Sequence, residues 1–153
     1  MLDYQACIKV GEEIIGRPVR YTDDLYSKRE DEFQYIRNYI KNIYSYYGFG
    51  TWLIEDLFSG DLIGRAGFNY RPDFNYPELG FVIDPKYWRR GYAYEVCEAI
   101  LQYGKNELGF TCVQALSYAD NIACIELLKK LGFSFEKEVS VHDTPYNLYL
   151  IQL

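Results

Sequence analysis

The chain has 153 residues, 49% of them hydrophobic and 25% charged, with a formal net charge of −6. That length holds one domain with a core and not two ordinary ones, and the acidic balance argues against a nucleic-acid partner, which needs a basic stripe to neutralise phosphates. No apolar run is long enough to cross a bilayer, and the opening residues lack the basic-then-apolar order of a signal peptide.

Cys7, Cys97, Cys112 and Cys124 are scattered, with no CxxC pair and no neighbouring histidine. No metal site is expected from them, and free thiols in a reducing cytoplasm are. Lys86, Arg89 and Arg90 form one basic cluster in an otherwise acidic chain. A solvated turn accounts for such a cluster as readily as an anion site does, until its neighbours are read.

In chain order, a helix is expected around Ile8 to Ile15 and a short strand at Pro18 to Tyr21. Asp23 or Asp24 caps a helix running to about Tyr47, with Phe33, Ile36, Tyr39/Ile40 and Ile43 on one face and Gly48 and Gly50 at its end. TWLIEDL and LIGRAGF flank Ser59-Gly60-Asp61 and predict a hairpin. A loop over 69–76 leads to an apolar strand, GFVID, stopped at Asp84-Pro85. Gly91 to about Lys105 reads as a helix with Ala93, Val96/Cys97, Ile100/Leu101 and Gly104 inward. CVQAL is the next strand. Asn121 opens a second helix with Ile122, Ile125, Leu128 and Leu131 inward and Gly132 after its end. Two strands around 142–145 close the chain. No repeat, low-complexity stretch or linker interrupts it, so 1–153 reads as a single α/β domain, a mixed sheet with helices on its faces.

The segment from Ile83 to Ala93 carries the chemistry. A strand runs through Pro85 into a basic, glycine-containing turn and straight into a helix. The first N–H groups of a helix have no partner within it, and its dipole adds positive potential there. Such a terminus suits phosphate. Gly91 lets an anion approach the backbone, Ala93 keeps the next turn small, and Arg89 and Arg90 supply charge-assisted bonds. An ordinary strand-to-helix connection is the competing reading.

Trp88-Arg-Arg-Gly91-Tyr92-Ala93 resembles the pyrophosphate loop of the GNAT superfamily of acyl-CoA N-acyltransferases, with tryptophan where most members have glutamine or arginine. Glu78-Leu-Gly-Phe81, Pro85, Trp88 to Ala93 and, further on, Asn121-Ile-Ala-Cys124 with Leu128 to Phe133 resemble the branch of ribosomal-protein-alanine N-acetyltransferases. The likeness covers about Thr51 to Leu153, and residues 1–22 match it poorly. It implies a GNAT-like single domain with a mostly antiparallel central sheet flanked by helices, and acetyl-CoA as cosubstrate.

The resemblance also implies the roles. Arg89, Arg90, Gly91, Tyr92 and Ala93 hold the diphosphate. Backbone groups of Phe81, Val82 and Ile83 pair with the pantetheine arm, with an N–H near Val82 facing the thioester oxygen. Asn121 both caps its helix and meets the cofactor. Glu78 is the candidate base for the amine, against a plain ion-pairing role. Cys124, where the branch has serine, is the candidate acid for the departing thiolate, against a small buried residue. The family's frequent proton-donating tyrosine falls at Leu128 and is absent. His142, the lone histidine, reads as a surface turn residue. Direct attack by the amine in a ternary complex follows, on a protein N-terminus or an amine-bearing small molecule, with tyrosines of 44–47 and 70–76 lining the acceptor side. A cofactor-binding sensor without turnover is the alternative, and the sequence is compatible with a homodimer.

Overall fold

The computed structural model describes residues 37–38, 41–42 and 45–153. The expected elements around Ile8 to Ile15 and Pro18 to Tyr21, and most of the helix expected from Asp23 or Asp24, lie outside the described residues. Its last part does not: Ser45–Tyr47 is helical and ends at Gly48, whose φ is +73°.

Thr51–Leu153 form a compact unit of their own. Strands β1 (Thr51–Glu55) and β2 (Leu62–Asn69) make the expected hairpin, and β3 (Glu78–Ile83) lies antiparallel on β2. After a 3-10 turn at Pro85–Tyr87, helix α1 (Tyr92–Asn106) crosses to β4 (Cys112–Ser117). Helix α2 (Ile122–Lys130) leads to β5 (Ser134–Val141) and β6 (Thr144–Gln152). The six-stranded sheet has the order β1-β2-β3-β4-β6-β5, and β3–β4 is its one parallel pair. The mixed, mostly antiparallel sheet flanked by helices is therefore present. No helix among the described residues is long and apolar enough to cross a membrane.

The core gathers where α1 lies on β2 and β3. Phe68 is fully buried and meets Phe110 edge-to-face at 5.1 Å, with Trp52 on its other side at 6.4 Å. Cys97, Ile100, Leu101 and Gly104 form the buried stripe of α1, at the spacing read from sequence.

Two local expectations change. Ile122 is 63% exposed, while Ile125 and Leu128 are buried. Steps of three residues drift by about 60° each on a 3.6-residue helix, so a run of four such positions ends on opposite sides. Only its middle faces the sheet. The closing hairpin turns on His142 and Asp143 alone, with φ of +49° and +61°, the left-handed pair that a two-residue connection between twisted strands requires. Thr144 and Pro145 already belong to β6.

Gly64 fixes the seating of β3. A Cβ added there would lie 2.2 Å from the Val82 carbonyl oxygen, a backbone atom within the β2–β3 ladder. Gly64→Ala should cost about 1–3 kcal/mol by forcing the two strands apart. A urea titration reads this as a lower midpoint at unchanged slope; an unchanged midpoint would mean that β3 yields freely at this point.

Candidate active site

β3 and β4 share a single rung. Gln114 pairs with Glu78, and its N–H donates to the Pro77 carbonyl at 2.9 Å. Beyond that rung the strands part. Parallel pairing at Glu78 turns the backbone groups of the odd-numbered residues toward β4, and those of the even-numbered residues toward β2. The bond from Asp84 N–H to Ile63 C=O, 2.9 Å, gives the same parity from the other edge. Val82 therefore belongs to the ladder with Arg65, and Phe81 and Ile83 face the gap. The available N–H expected near Val82 belongs to its two neighbours, and Val82's own is turned to β2. The Ile83 carbonyl is already engaged, accepting from the indole Nε1 of Trp88 at 2.7 Å.

Past the gap the chain tightens into the basic turn. Asp84 accepts from the Lys86 N–H at 3.0 Å, and the Trp88 N–H closes on the Pro85 carbonyl. Arg89 has φ +60° and Gly91 φ +91°. The N–H groups of Arg89 to Tyr94 donate to no protein group among the described residues, and the first bond of α1 runs from Glu95 to the Gly91 carbonyl. Nothing lies within 4 Å of where a Gly91 Cβ would stand. Free amides, an open approach and exposed Arg89 and Arg90 together fit a diphosphate.

The β1–β2 turn holds this segment in place. Tyr92 donates to Asp56 Oδ2 at 2.5 Å and Tyr87 to Asp61 Oδ2 at 2.8 Å, while the two rings meet edge-to-face at 6.1 Å. Lys86 Nζ and Arg90 Cζ lie 4.8 and 5.4 Å from the Tyr87 ring centre. The Tyr92 hydroxyl, with the Ser59 and Phe58 N–H groups, draws the Asp56 carboxyl down to about 2. Tyr87 likewise lowers Asp61, and both phenols are raised in return.

On the other side of the gap a cleft of about 230 Å³ brings together Glu78, Phe81, Asn121 and Cys124. Asn121 is the helix cap, its Oδ1 accepting from the Cys124 N–H at 3.2 Å. Burial pushes the Cys124 thiol up, against a smaller opposing pull from the Ser117 hydroxyl. Glu78, 7% exposed, is bound by Arg71: Nε lies 2.5 Å from Oε2, and a terminal nitrogen lies 3.4 Å from Oε1. Tyr118 and Tyr146 line the same cleft, stacked at 4.6 Å, with Tyr146 donating to the Tyr118 oxygen at 2.9 Å. That bond and burial raise the Tyr146 phenol, which also feels Arg71 and Glu78.

Arg71, Ser117, Tyr118 and Tyr146 were not singled out by sequence reasoning. Arg71 lies in the β2–β3 loop, Ser117 and Tyr118 at the end of β4 and Tyr146 in β6, with no spacing that links the three places. Tyr70 and Tyr76 are exposed and do not line this cleft. His142 lies on an exposed turn. No cluster of three or more His, Cys, Asp or Glu side chains among the described residues suits a metal ion.

A family model described as an acetyltransferase (GNAT) domain matches residues 13–134. YoaA of Bacillus subtilis (strain 168), an uncharacterized N-acetyltransferase, is 36% identical over 107 residues, or 65% of this chain and 60% of that protein. The chain spans about three fifths of the length of such curated relatives. Among solved structures, a GnaT-family acetyltransferase from Bordetella pertussis superposes with a TM-score of 0.72 at 26% identity, covering 81% of this chain and 78% of that one. The ribosomal-protein-S5-alanine acetyltransferase of Vibrio fischeri, 15% identical, shares the fold with a TM-score of 0.63 over 81% of this chain and 69% of its own.

The Asp56 latch has a pH signature. Its folded value lies below the ordinary 3.8, so its contribution is complete above about pH 4 and fades as the pH falls toward 2. A carbon-detected NMR titration should place the Asp56 midpoint near 2, and Tyr92→Phe should return it toward 3.8. A wild-type midpoint already at the ordinary value would mean that the phenol does not hold it.

Proposed function

The chain belongs to the GNAT acetyltransferase family, and on that premise we propose that it moves the acetyl group of acetyl-CoA onto a primary amine. The observation that carries this reading is the open edge of β3, with unpartnered amides at one end and a carboxylate and a thiol at the other. Residues 1–153 are taken as one acetyltransferase domain, supported by a family match that begins at residue 13. The acceptor is a protein N-terminus or an amine-bearing small molecule. Free thiols at Cys97, Cys112 and Cys124 support a cytoplasmic setting.

Acetyl-CoA, when bound, supplies an activated acetyl thioester. The N–H groups of Arg89 to Tyr94, including those of Gly91, Tyr92 and Ala93, hold its diphosphate, with Arg89 and Arg90 adding charge. Phe81 N–H and C=O and Ile83 N–H orient the arm as a neighbouring strand would. One of these two amides faces the oxygen that gains charge, a contact typically worth about 3–4 kcal/mol. Asn121, fixed by its cap, meets the cofactor from the far wall.

An alkylamine is mostly protonated at neutral pH, so the site has to take a proton before attack. Glu78 takes it, directly or through one water. Arg71 grips Oε2 closely and Oε1 only loosely, so Oε1 is the oxygen left for this task. A nucleophilic cysteine needs a thiolate, and burial works against one at Cys124. That supports Cys124 as a proton donor to the leaving sulfur and a single ternary complex rather than an acetyl-cysteine.

Incubating the protein with acetyl-CoA and a panel of amines, and following thiol release, tests the reading. Glu78→Gln should lower kcat about a hundredfold or more. Saturable CoA binding without thiol release for any amine would leave a cofactor-binding module instead. Separately, Cys124→Ala should slow turnover with acetyl-CoA affinity nearly unchanged, and wild-type turnover would remove Cys124 from the chemistry.

A further inference from the structure

Trp88 is 63% exposed, an unusual state for so large an aromatic, yet its indole is not loose. Its one polar atom is held at 2.7 Å by the Ile83 carbonyl. By the parity of β3, that carbonyl points into the gap beside β4. The indole therefore stands at the end of the open edge, between Phe81 and the free amides that begin at Arg89. No described ring or cation packs on it. A rigid, bare aromatic face whose ordering has already been completed is a preorganised contact.

We infer that Trp88 is a cofactor-binding residue, its indole forming the wall against which the pantetheine arm of CoA passes from the phosphate turn to the β3 edge. The inference rests on the reading that CoA binds here and adds a residue to it. The indole has a second effect. By occupying the Ile83 carbonyl it ends the available ladder, leaving Phe81 N–H, Phe81 C=O and Ile83 N–H for the arm. The arm can pair with the strand only at these groups, and this sets how far it enters.

The chain has only two tryptophans, so the test is spectroscopic. In Trp52→Phe, which keeps a ring against Phe68 and Tyr103, Trp88 is the sole indole emitter. Excited at the red edge to leave the tyrosines dark, it should shift to the blue and saturate with CoA and with pantetheine. The adenosine bisphosphate half of CoA should leave it unmoved. The difference between wild type and Trp88→Phe gives the same reading without relying on the Trp52 variant. In binding assays Trp88→Leu should raise the Kd for CoA about tenfold and that for adenosine bisphosphate less than about twofold. Emission that stays fixed while CoA raises the Tm, or that answers only to the adenosine half, overturns the inference and leaves CoA binding standing. No rise in Tm with CoA would instead remove the cofactor reading itself.

Discussion

A backbone amide inside a sheet has to find a partner, and β3 is arranged so that one of its edges finds none beyond the Glu78–Gln114 rung. An unpaired edge is ordinarily a hazard, because it recruits any strand that passes. Here the gap lies inside the sheet, between β3 and β4, with α1 packed on β3 and α2 on β4. The rest of the site follows from that divergence. The strands separate toward the end of β3 where the chain must turn, so the turn and the start of α1 arrive at one mouth of the slot. The start of α2, capped by Asn121, follows the parallel strand β4 and so arrives at the same open end, on the opposite wall.

The anion site proposed for this acidic protein has two carboxylates close to it. Asp56 and Asp61 come from the turn nearest the basic segment, and each is held by a phenol of that segment. The same two bonds that occupy the acids also fix the helix start, and the Tyr87 ring gathers Lys86 and Arg90 beside it. Both acids stay ionised, so the phenols set where the negative charge stands and do not remove it.

Much of this was legible in the sequence because it is local. Hairpin composition around Ser59 to Asp61, the Pro85 break, the Gly91 turn and the Asn121 cap are each decided by a few adjacent residues, and each stands where the pattern put it. What was illegible depends on partners far along the chain. Whether Val82 or its neighbours present their amides is set by the register with Arg65, which no strand pattern encodes. Glu78 read as a base or an ion-pairing residue, and its partner stayed unnamed because Arg71 sits in a loop of no fixed period. Tyr118 and Tyr146 meet only because β4 and β6 pair, and seventeen tyrosines gave no reason to choose those two. Ile122 was misread for a different cause: a repeat of three was taken for one face of a helix whose period is not three.

The phenol–carboxylate bonds join two segments distant in sequence into one opening unit. If the β1–β2 turn can exchange its amide hydrogens only after the Tyr87 and Tyr92 hydroxyls let go, its protection is tied to the closed state of the basic segment. Whatever binds that closed state stabilises it by mass action. The amides of Phe58 to Asp61, each bonded within their own turn, then become a remote gauge of occupancy, slowing in solvent exchange as the basic turn fills.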